Sequence, residues 1–504
     1  MNIVWFKRDL RIYDHKPLHL AAQKGKFIPL YIIEPDLWKQ PDLSHRQYLS
    51  LLECLQDLSA QLSNLGQELI IKVGNAIDIF EEFDREYDLN SVFAHQETGN
   101  LWTYARDKLM IRYFNKNKIS FNQYPQNGVI RGLKSRDGWS RKWYQFMSES
   151  IYPAPRKISK LNIISDKIPT YDELDITAIE FKSLQKMGRE NAENDLYSFL
   201  NHRGISYTTE MSSPVTAYTS CSRLSVHISF GILSIKEIYH SATSRVQYLK
   251  NNSTENKTKW MRSLRSFLSR LRWHCHFIQK LEDFPELEIK NMNRLYDNLR
   301  SHTNDKYLNA WMLGNTGFPM IDASMRALIS TGWINFRMRA MLISFASYHL
   351  WIPWNETAKY LARLFLDYEA GIHFSQVQMQ SGTTGINAIR IYNPIKQGID
   401  QDPDGVFIRK WLPELKKVDD QYIHQPWLEP NRCHDYPDPI VDEAKSRKKA
   451  ASILYGIRKD NSQHQEINNQ ILDKHGSRRK KITKKKDTKQ KKDTKHQGQG
   501  EFPF

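Results

Sequence analysis

The chain has 504 residues, 40% of them hydrophobic and 12% aromatic, and a formal net charge of +17. This length is enough for two or three domains with large cores. No run of eighteen or more apolar residues occurs, so we expect no transmembrane helix, and the first residues turn charged too early for a signal peptide. The four cysteines form no CxxC pair, which argues against a zinc site or a disulfide framework and favours a reducing compartment.

Residues 1–130 alternate short apolar runs with longer amphipathic ones. The apolar runs are predicted to be buried strands, and they cover residues 3–6, 27–33, 69–73 and 91–94. Leucines recur at helical spacing between the second and third runs, on a helix that starts after Ser44. This alternation predicts an α/β domain with a doubly wound parallel sheet, Rossmann-like in class. No GxGxxG follows the first strand, so a NAD-dependent function is not expected.

Residues 131–189 have the composition of a connector. Pro153, Pro155 and Pro169 punctuate a polar stretch, as expected of a segment that crosses the surface. Basic and aromatic residues interleave over residues 135–144. This pattern favours a packed linker helix over a contact with nucleic acid.

Residues 190–430 regain helical periodicity and are predicted to form one large all-helical domain. Residues 431–504 are polar and rich in Lys, Arg and Gln, so this tail is predicted to be largely disordered. Its segment 477–495 holds eleven Lys or Arg and two Asp, a net +9, which leaves +8 elsewhere. Excess positive charge favours a polyanionic partner. The tail itself can tether nucleic acid, serve as a nuclear or partner signal, or be a solvated charge run.

The stretch from Trp311 to Arg390 combines arginines, aromatics, methionines and small polar residues more densely than the rest of the chain. It is too polar for a plain core and too aromatic for a plain surface. This mixture favours a buried site for a flat, charged cofactor. An ordinary helical core with paired arginines is the alternative.

Eight short motifs occur in a fixed order, at residues 4–11, 221–225, 230–231, 311–326, 332–339, 367–369, 390–394 and 407–415. Together they resemble the DNA photolyase/cryptochrome family over roughly residues 1–420. The resemblance implies a helical domain that holds FAD, and light-driven electron transfer from reduced flavin to a pyrimidine dimer flipped out of DNA. The pattern of residues 367–387 is closest to a divergent prokaryotic branch.

The resemblance assigns residues 222–225 to the FAD phosphates. Ser222 and Ser225 offer hydroxyls ahead of a helical run, with Arg223 and Leu224 between them, and such donors suit a diphosphate. Two serines at this spacing can also be ordinary helix caps. The family usually has threonine at the position of Cys221, so one hydroxyl is lost there.

A charged pair, Arg339 and Asp367, is implied to lie beside the flavin ring. A permanently protonated guanidinium would stabilise reduced, anionic flavin, and the carboxylate would hold it in place. A structural ion pair between helices is the alternative. The remaining residues implied to line the cofactor are Phe336, Tyr368 and Glu369.

His373 stands where photolyases usually place asparagine against the reactive ring nitrogen of the flavin. Histidine can donate a hydrogen bond there, but it also titrates near neutrality. We therefore predict that the state of the flavin depends on pH through His373. The alternative is a satisfied core histidine.

The lesion pocket is implied by Trp273, which matches the tryptophan that packs against the flipped dimer. Stacking of a base on an aromatic ring is worth about 1–3 kcal/mol. The residues implied to line the cavity and its phosphate rim are Arg337 and Arg390, with Arg270, Met379 and Phe336 in place of the family's glutamate, second tryptophan and asparagine. These departures leave the lesion type open. His274 and His276 flank Cys275 beside Trp273, which keeps a (6-4) photolyase under consideration.

Three tryptophans commonly carry electrons to the flavin in this family. Trp354 matches the middle member, but Val377 replaces the inner one and cannot form a radical. The outer position falls near Ser301, with Trp311 as a substitute. Other routes would pass through Trp351, Trp333 or Tyr348.

The family resemblance raises two further cofactors, an iron–sulfur cluster and an antenna pigment. One branch of the family binds an iron–sulfur cluster through four C-terminal cysteines, and the presence of Cys433 alone after residue 340 excludes it. Many members bind a second, antenna chromophore, and residues 96–99 follow a predicted strand where such a pigment can lie. The sequence does not identify the pigment.

The leading hypothesis is a photolyase that splits cyclobutane pyrimidine dimers in damaged DNA. A cryptochrome-type photoreceptor without repair activity and a (6-4) photolyase are the alternatives. We expect a monomer that is cytoplasmic and nucleoid-associated if prokaryotic, or nuclear if the basic tail is a targeting signal.

Overall fold

The computed structural model describes residues 1–430, 434–460 and 464–476. Its N-terminal domain contains a parallel five-stranded sheet of order β3-β2-β1-β4-β5, which confirms the predicted doubly wound class. Strand β1 lies at the centre, with Trp5 opposite Leu30 of β2 and Val4 opposite Phe93 of β4. The strands are β1 Asn2–Phe6, β2 Phe27–Ile33, β3 Ile70–Val73, β4 Ser91–His95 and β5 Ser120–Tyr124.

Helices pack on the sheet and bury two separate cores. The leucine-rich helix begins directly after Ser44, as predicted, and buries Leu51, Leu55, Leu58 and Leu62. The helices of this domain are α1 Lys16–Gln23, α2 Pro35–Trp38, α3 His45–Asn64, α4 Ala76–Tyr87 and α5 Leu101–Lys116.

The connector contains one helix, α6 Trp139–Ser148, which buries Trp139 and Trp143. The Trp139 indole donates to Gln279 Oε1 at 3.1 Å. The prediction of a packed linker helix is confirmed, because these aromatic side chains face the protein interior.

Residues 190–430, all of which the structure describes, contain helices and no strand. This confirms the predicted all-helical domain. A π-helical turn, Phe345–His349, follows α15. The helices are α7 Arg189–Asn201, α8 Tyr207–Glu210, α9 Ala217–Ser220, α10 Ser225–Ser229, α11 Ile235–Asn251, α12 Lys257–Asp283, α13 Asp305–Leu313, α14 Pro319–Thr331, α15 Phe336–Ser344, α16 Trp354–Leu364, α17 Ala370–Ser381, α18 Pro394–Gln401 and α19 Val406–Trp411, with 3₁₀ turns at Arg203–Ser206, Pro285–Glu288, Arg294–Tyr296, Pro413–Leu415 and Pro426–Leu428.

The prediction of a largely disordered tail from residue 431 is wrong for the described part of that segment. Two further helices, α20 Glu443–Asp460 and α21 His464–His475, pack on the helical domain. Ala450 and Leu454 are fully buried in a cluster with Tyr296 and Tyr348. This small apolar face is sufficient to dock a helix whose other positions are basic. The most basic segment, 477–504, lies outside the described residues, as does Cys433.

Buried side chains join the two domains. Arg46 of α3 is fully buried and donates to the carbonyl oxygens of Leu328, Ile329 and Leu364 at 2.9–3.2 Å. Arg8, after β1, donates to the carbonyl oxygen of Tyr368 at 2.5 Å. The carboxyl end of the central strand β1 is thereby held against the residues that immediately precede α17. Among the described helices, none is long and apolar enough to cross a membrane.

Candidate functional site

The Arg339–Asp367 pair forms as predicted. Arg339 lies in the first turn of α15, and its two terminal nitrogens donate to the two carboxylate oxygens of Asp367, both at 2.9 Å. Its Nε donates to the carbonyl oxygen of Ile334 at 2.8 Å. Burial alone raises the pKa of Asp367, but Arg339 and Ser225 outweigh it and hold that pKa below its ordinary value. The result is a fixed cation with a fully ionised partner.

Residues 222–225 adjoin this pair. Ser225 begins α10, and its side chain hydrogen-bonds to Asp367. Leu224 is buried, and its backbone N–H donates to Ser222 Oγ at 3.4 Å. The segment predicted to hold phosphate and the pair predicted to face the ring therefore belong to one contiguous site.

Arg223 occupies the most constrained position of this segment. Its φ of +63° is in the left-handed region, and its guanidinium lies between two aromatic rings, 3.8 Å from the Trp333 centroid and 4.4 Å from that of Tyr218. Nη2 donates to Gln185 Oε1 at 3.0 Å, whereas Nη1 is buried without a hydrogen-bond partner. Burial lowers the pKa of Arg223 to about 10, so the side chain stays cationic at neutral pH.

This donor set fits FAD. A buried cationic N–H without an acceptor is costly unless an anion binds there, and a flavin diphosphate supplies such an anion. Arg339 adds a rigid cation nearby. Arg223 and Ser225 would hold the phosphates, and Arg339 would face the part of the flavin that becomes negative on reduction.

Glu369 and His274 form a second ion pair that was not predicted. The His274 imidazole lies 2.7 Å from Glu369 Oε2. Burial opposes protonation, but Glu369 and Cys275 outweigh it and raise the pKa of His274 to about 10. His274 is therefore an imidazolium at neutral pH, and Glu369 has a partner within the protein.

The Tyr368 side chain contacts the N-terminal domain. Its hydroxyl donates to Asp42 of the N-terminal domain at 2.5 Å, and its side chain lines a cavity of that domain. The Tyr368 hydroxyl is thus engaged by the N-terminal domain, and a contact of this residue with the cofactor stays a prediction.

His373 lies beside the charged pair but does not titrate near neutrality. Its Nε2–H donates to the carbonyl oxygen of Ala358 at 2.8 Å. Burial lowers the pKa of His373 to about 4. The predicted pH dependence through this residue is therefore wrong, since the imidazole is neutral throughout the physiological range.

The residues assigned to the lesion pocket surround the start of α15 and the middle of α12. Trp273 is half-buried and stacks on Phe277 with centroids 5.7 Å apart. Arg270 donates to Met211 Sδ at 3.5 Å, and Arg337 donates to Ser212 Oγ at 3.2 Å. Of the remaining members, Phe336 and Arg390 are exposed and Met379 is half-buried.

The positions of the tryptophans support only part of the predicted electron route to the flavin. Trp354 is buried and donates to Asn291 Oδ1 at 2.7 Å. Trp311 is completely buried, donates to the carbonyl oxygen of Leu342 at 3.1 Å, and so cannot be the surface end of an electron chain. Trp351 is half-buried, with the Arg300 guanidinium 4.8 Å above its ring.

Two cavities adjoin the segment predicted to hold an antenna pigment. The larger, about 790 Å³, opens at the ends of β1 and β2 and is lined by Tyr31, Glu97 and Gly99. A smaller one of about 510 Å³ lies between the domains and is lined by Gln96, Thr98 and Glu369, among others. Ligands of open parallel sheets bind at this edge.

Asp9, His15 and His95 form a buried cluster whose potential ligand atoms lie within 4.8 Å of one another. His15 Nδ1 accepts a hydrogen bond from the Leu18 N–H at 3.1 Å, so its proton is on Nε2, which donates to Asp9 Oδ2 at 2.9 Å. His95 Nδ1 lies 2.7 Å from the same oxygen. Since Nε2 of His15 has no free lone pair, the cluster is a hydrogen-bonded network rather than a metal site.

Comparisons with known proteins point to one family over about nine-tenths of the chain. Residues 2–135 match the family model of DNA photolyase, and residues 267–455 match that of the FAD binding domain of DNA photolyase. A deoxyribodipyrimidine photo-lyase of Alkalihalophilus pseudofirmus is 27% identical over 90% of this chain and 98% of its own length. Cryptochrome-2 of Arabidopsis thaliana is 28% identical over 91% of this chain and 81% of its own.

A solved structure has the same architecture. The bacterial class III photolyase from Agrobacterium tumefaciens superposes with a TM-score of 0.77 at 25% identity, covering 91% of this chain and 98% of that one. The matched FAD-binding domain contains the Arg339–Asp367 pair and the Trp273 helix. The chain therefore belongs to the DNA photolyase/cryptochrome family and carries its FAD-binding domain.

Proposed function

We propose that this protein repairs DNA in light by splitting cyclobutane pyrimidine dimers. The observation that supports the proposal is an ion pair between the helix of Trp273 and the segment of the flavin pair. His274, the sequence neighbour of Trp273 on α12, lies 2.7 Å from Glu369, and Glu369 is two residues after Asp367, which binds Arg339. This ion pair holds α12, which carries the stacking platform, against the segment that carries Asp367.

FAD, when bound and reduced, supplies on excitation the electron that splits the dimer and takes it back afterwards. Arg339 provides a fixed positive charge toward negative charge on the cofactor, and Asp367 keeps that guanidinium oriented. Arg223 and Ser225 hold the phosphates. These groups are pre-positioned by hydrogen bonds that already exist in the protein.

Trp273 provides the apolar face on which an extruded base stacks. Base extrusion costs a few kcal/mol, less at a damaged pair, and stacking returns about 1–3 kcal/mol of it. Arg337 and the exposed Arg390 are placed to pair with backbone phosphates at the rim. A net charge of +8 outside the basic tail supports this surface as a DNA contact.

The His274–Glu369 pair favours one second candidate, a (6-4) photolyase. A protonated imidazole beside the lesion platform is a proton donor already in place for chemistry that requires one. The cyclobutane reaction needs no such donor. The two functions therefore differ in whether His274→Gln abolishes repair or only reduces cofactor binding.

The test uses the FAD-loaded, reduced protein with oligonucleotides that contain either lesion, in light and in darkness. We expect light-dependent reversal of the cyclobutane dimer and none of the (6-4) product. Reversal of the (6-4) product alone would assign the second candidate. Absence of reversal of both lesions, with flavin bound, would indicate a photoreceptor of the cryptochrome type.

We also propose that the larger N-terminal cavity accepts an antenna chromophore. Its lining combines aromatic rings, such as Tyr31, with the buried charges of Lys7, Glu34 and Arg106, which suits a flat, polar ring system. Absorption and fluorescence of the purified holoprotein beyond those of FAD would identify a pigment. Leu37→Trp, at a half-buried position of the cavity lining, would obstruct the cavity and should remove that signal while FAD stays bound.

A further inference from the structure

A cluster of buried basic side chains lies where the connector, α12 and α21 meet. We call Arg136, His276, Lys280 and His475 the basic cluster. The Arg136 guanidinium hydrogen-bonds to His276 Nδ1 and lies 4.8 Å above the ring of Trp139. The imidazole of His475, the last residue of α21, is buried, and the positive charges of Lys280 and Arg136 act on it.

Donors in the basic cluster lack acceptors. Lys280 is only 3% exposed, and its Nζ lies 5.2 Å from the centroid of the Phe277 ring. Within the described part of the chain, no oxygen accepts a hydrogen bond from its ammonium. Arg136 Nη1 and His475 Nδ1 are also buried without hydrogen-bond partners. The connector, α12 and α21 therefore each contribute a buried side-chain nitrogen without a hydrogen-bond acceptor to this cluster.

Negative charge in this region does not balance the positive charge. Asp283 approaches the cluster, with Oδ2 3.9 Å from Arg136 Nη1, which is too long for a hydrogen bond. Burial raises the pKa of Asp283 to about 6, so this carboxylate is itself poorly stabilised. The neighbouring Glu282 already accepts from Arg131 and Thr98. An uncompensated buried ammonium beside a guanidinium is costly.

We propose that the basic cluster binds a small tetrahedral oxyanion, such as inorganic phosphate or sulfate, that joins α21 to α12. A tetrahedral anion accepts from several directions, which suits donors that come from an arginine fork, a lysine and a histidine on three elements. The positive charge of the basic cluster would repel a metal cation, which excludes a metal ion as the ligand. The site contains none of the residues assigned to FAD, although the His276 ring packs edge-on against Trp273 with centroids 5.2 Å apart.

The charged groups around the site set its pH dependence. Burial, followed by Arg136, lowers the pKa of Lys280 to about 7, and burial lowers that of His475 to about 3. Lys280 is therefore the group whose protonation controls anion binding near neutrality. The groups that face the site are Arg272, His276, Lys280 and Asp283 on α12, Arg136 on the connector, and Lys474 and His475 on α21.

The experiment is calorimetric titration of the full-length, FAD-loaded protein with sulfate against chloride at equal ionic strength. Sulfate keeps its charge over this pH range, so any pH effect reports the protein. With a pKa of about 7, Lys280 is about three-quarters protonated at pH 6.5 and about 3% protonated at pH 8.5, so the apparent affinity should fall about 25-fold. Lys280→Met should weaken binding at least tenfold, whereas Lys280→Arg should retain it.

Lys259→Met is the matched control, because Lys259 is exposed on the same helix. His475→Gln tests the contribution of α21 independently of Lys280. Saturable binding that is lost in Lys280→Met and weakened in His475→Gln supports the site. Absence of saturable binding at pH 6.5, or equal binding by wild type and Lys280→Met, would overturn the proposal and leave Lys280 as a neutral buried amine.

Discussion

Replacing Asp367 with asparagine removes the charge that holds Arg339 while leaving the shape of the side chain nearly unchanged. Asp367 is 4% exposed and accepts two hydrogen bonds of 2.9 Å from Arg339. The asparagine amide keeps one acceptor oxygen, so Arg339 loses one charge-assisted hydrogen bond and its counterion. Each such bond contributes about 1.5–3 kcal/mol, and we expect the unfolding free energy to fall by about 2–3 kcal/mol.

The loss of unfolding free energy in Asp367→Asn depends on pH in a defined direction. The folded-state pKa of Asp367 lies below its unfolded value, which is about 3.9. The carboxylate therefore stabilises the fold fully above about pH 4, and its contribution disappears as the pH falls through the folded-state pKa. The difference in unfolding free energy between wild type and Asp367→Asn should have its full value at pH 7 and should shrink below about pH 4.

The assay is urea unfolding of the FAD-free protein, followed by tryptophan fluorescence at several pH values. Asp420→Asn is the matched control, because Asp420 also pairs with an arginine that is 21% exposed but is itself 86% exposed. We expect that variant to unfold like wild type. A gap for Asp367→Asn below about 0.5 kcal/mol, or one that persists in acid, would refute the reasoning.

Three further predictions address the cofactor site and the C-terminal helices. Arg223→Gln should weaken FAD binding by at least about tenfold in a fluorescence titration, because it removes the charge-assisted donor Nη1; unchanged affinity would contradict the phosphate assignment. His373→Asn should leave the pH profile of the bound flavin spectrum unchanged between pH 6 and 8, since the pKa of His373 is about 4; a shifted midpoint would show that His373 titrates. Leu454→Ala should cost about 2–4 kcal/mol of unfolding free energy, and Tyr455→Ala, at a 50% exposed position of the same helix, little; an equally small effect of both would mean that α20 is not docked.

The sequence predicted the fold where local patterns report burial. The four strands it predicted are apolar runs because both faces of the sheet are covered. Strand β5 was missed, since its residues Ser120–Tyr124 lie at the sheet edge and carry no apolar run. The docking face of α20 was missed for a related reason, because Ala450 and Leu454 are outnumbered by basic residues.

The site was predictable only through motif resemblance. Arg339 and Asp367 are 28 positions apart, and no local spacing pairs them. The aromatic sandwich of Arg223 depends on Trp333, more than a hundred residues away, so it appears only after folding. The sequence likewise cannot report that His373 is buried against a backbone carbonyl, which is the reason that its predicted titration was wrong.

The central claim concerns lesion repair, and one measurement addresses it directly. Reduced, FAD-loaded protein is mixed with an oligonucleotide that carries one cyclobutane thymine dimer, and intact thymine is measured after illumination and after an equal period in darkness. The account predicts repair in light only, and weaker lesion binding by Trp273→Ala, about 5-fold to 150-fold from lost stacking. Equal dimer content in light and darkness, with FAD bound and reduced, would contradict it.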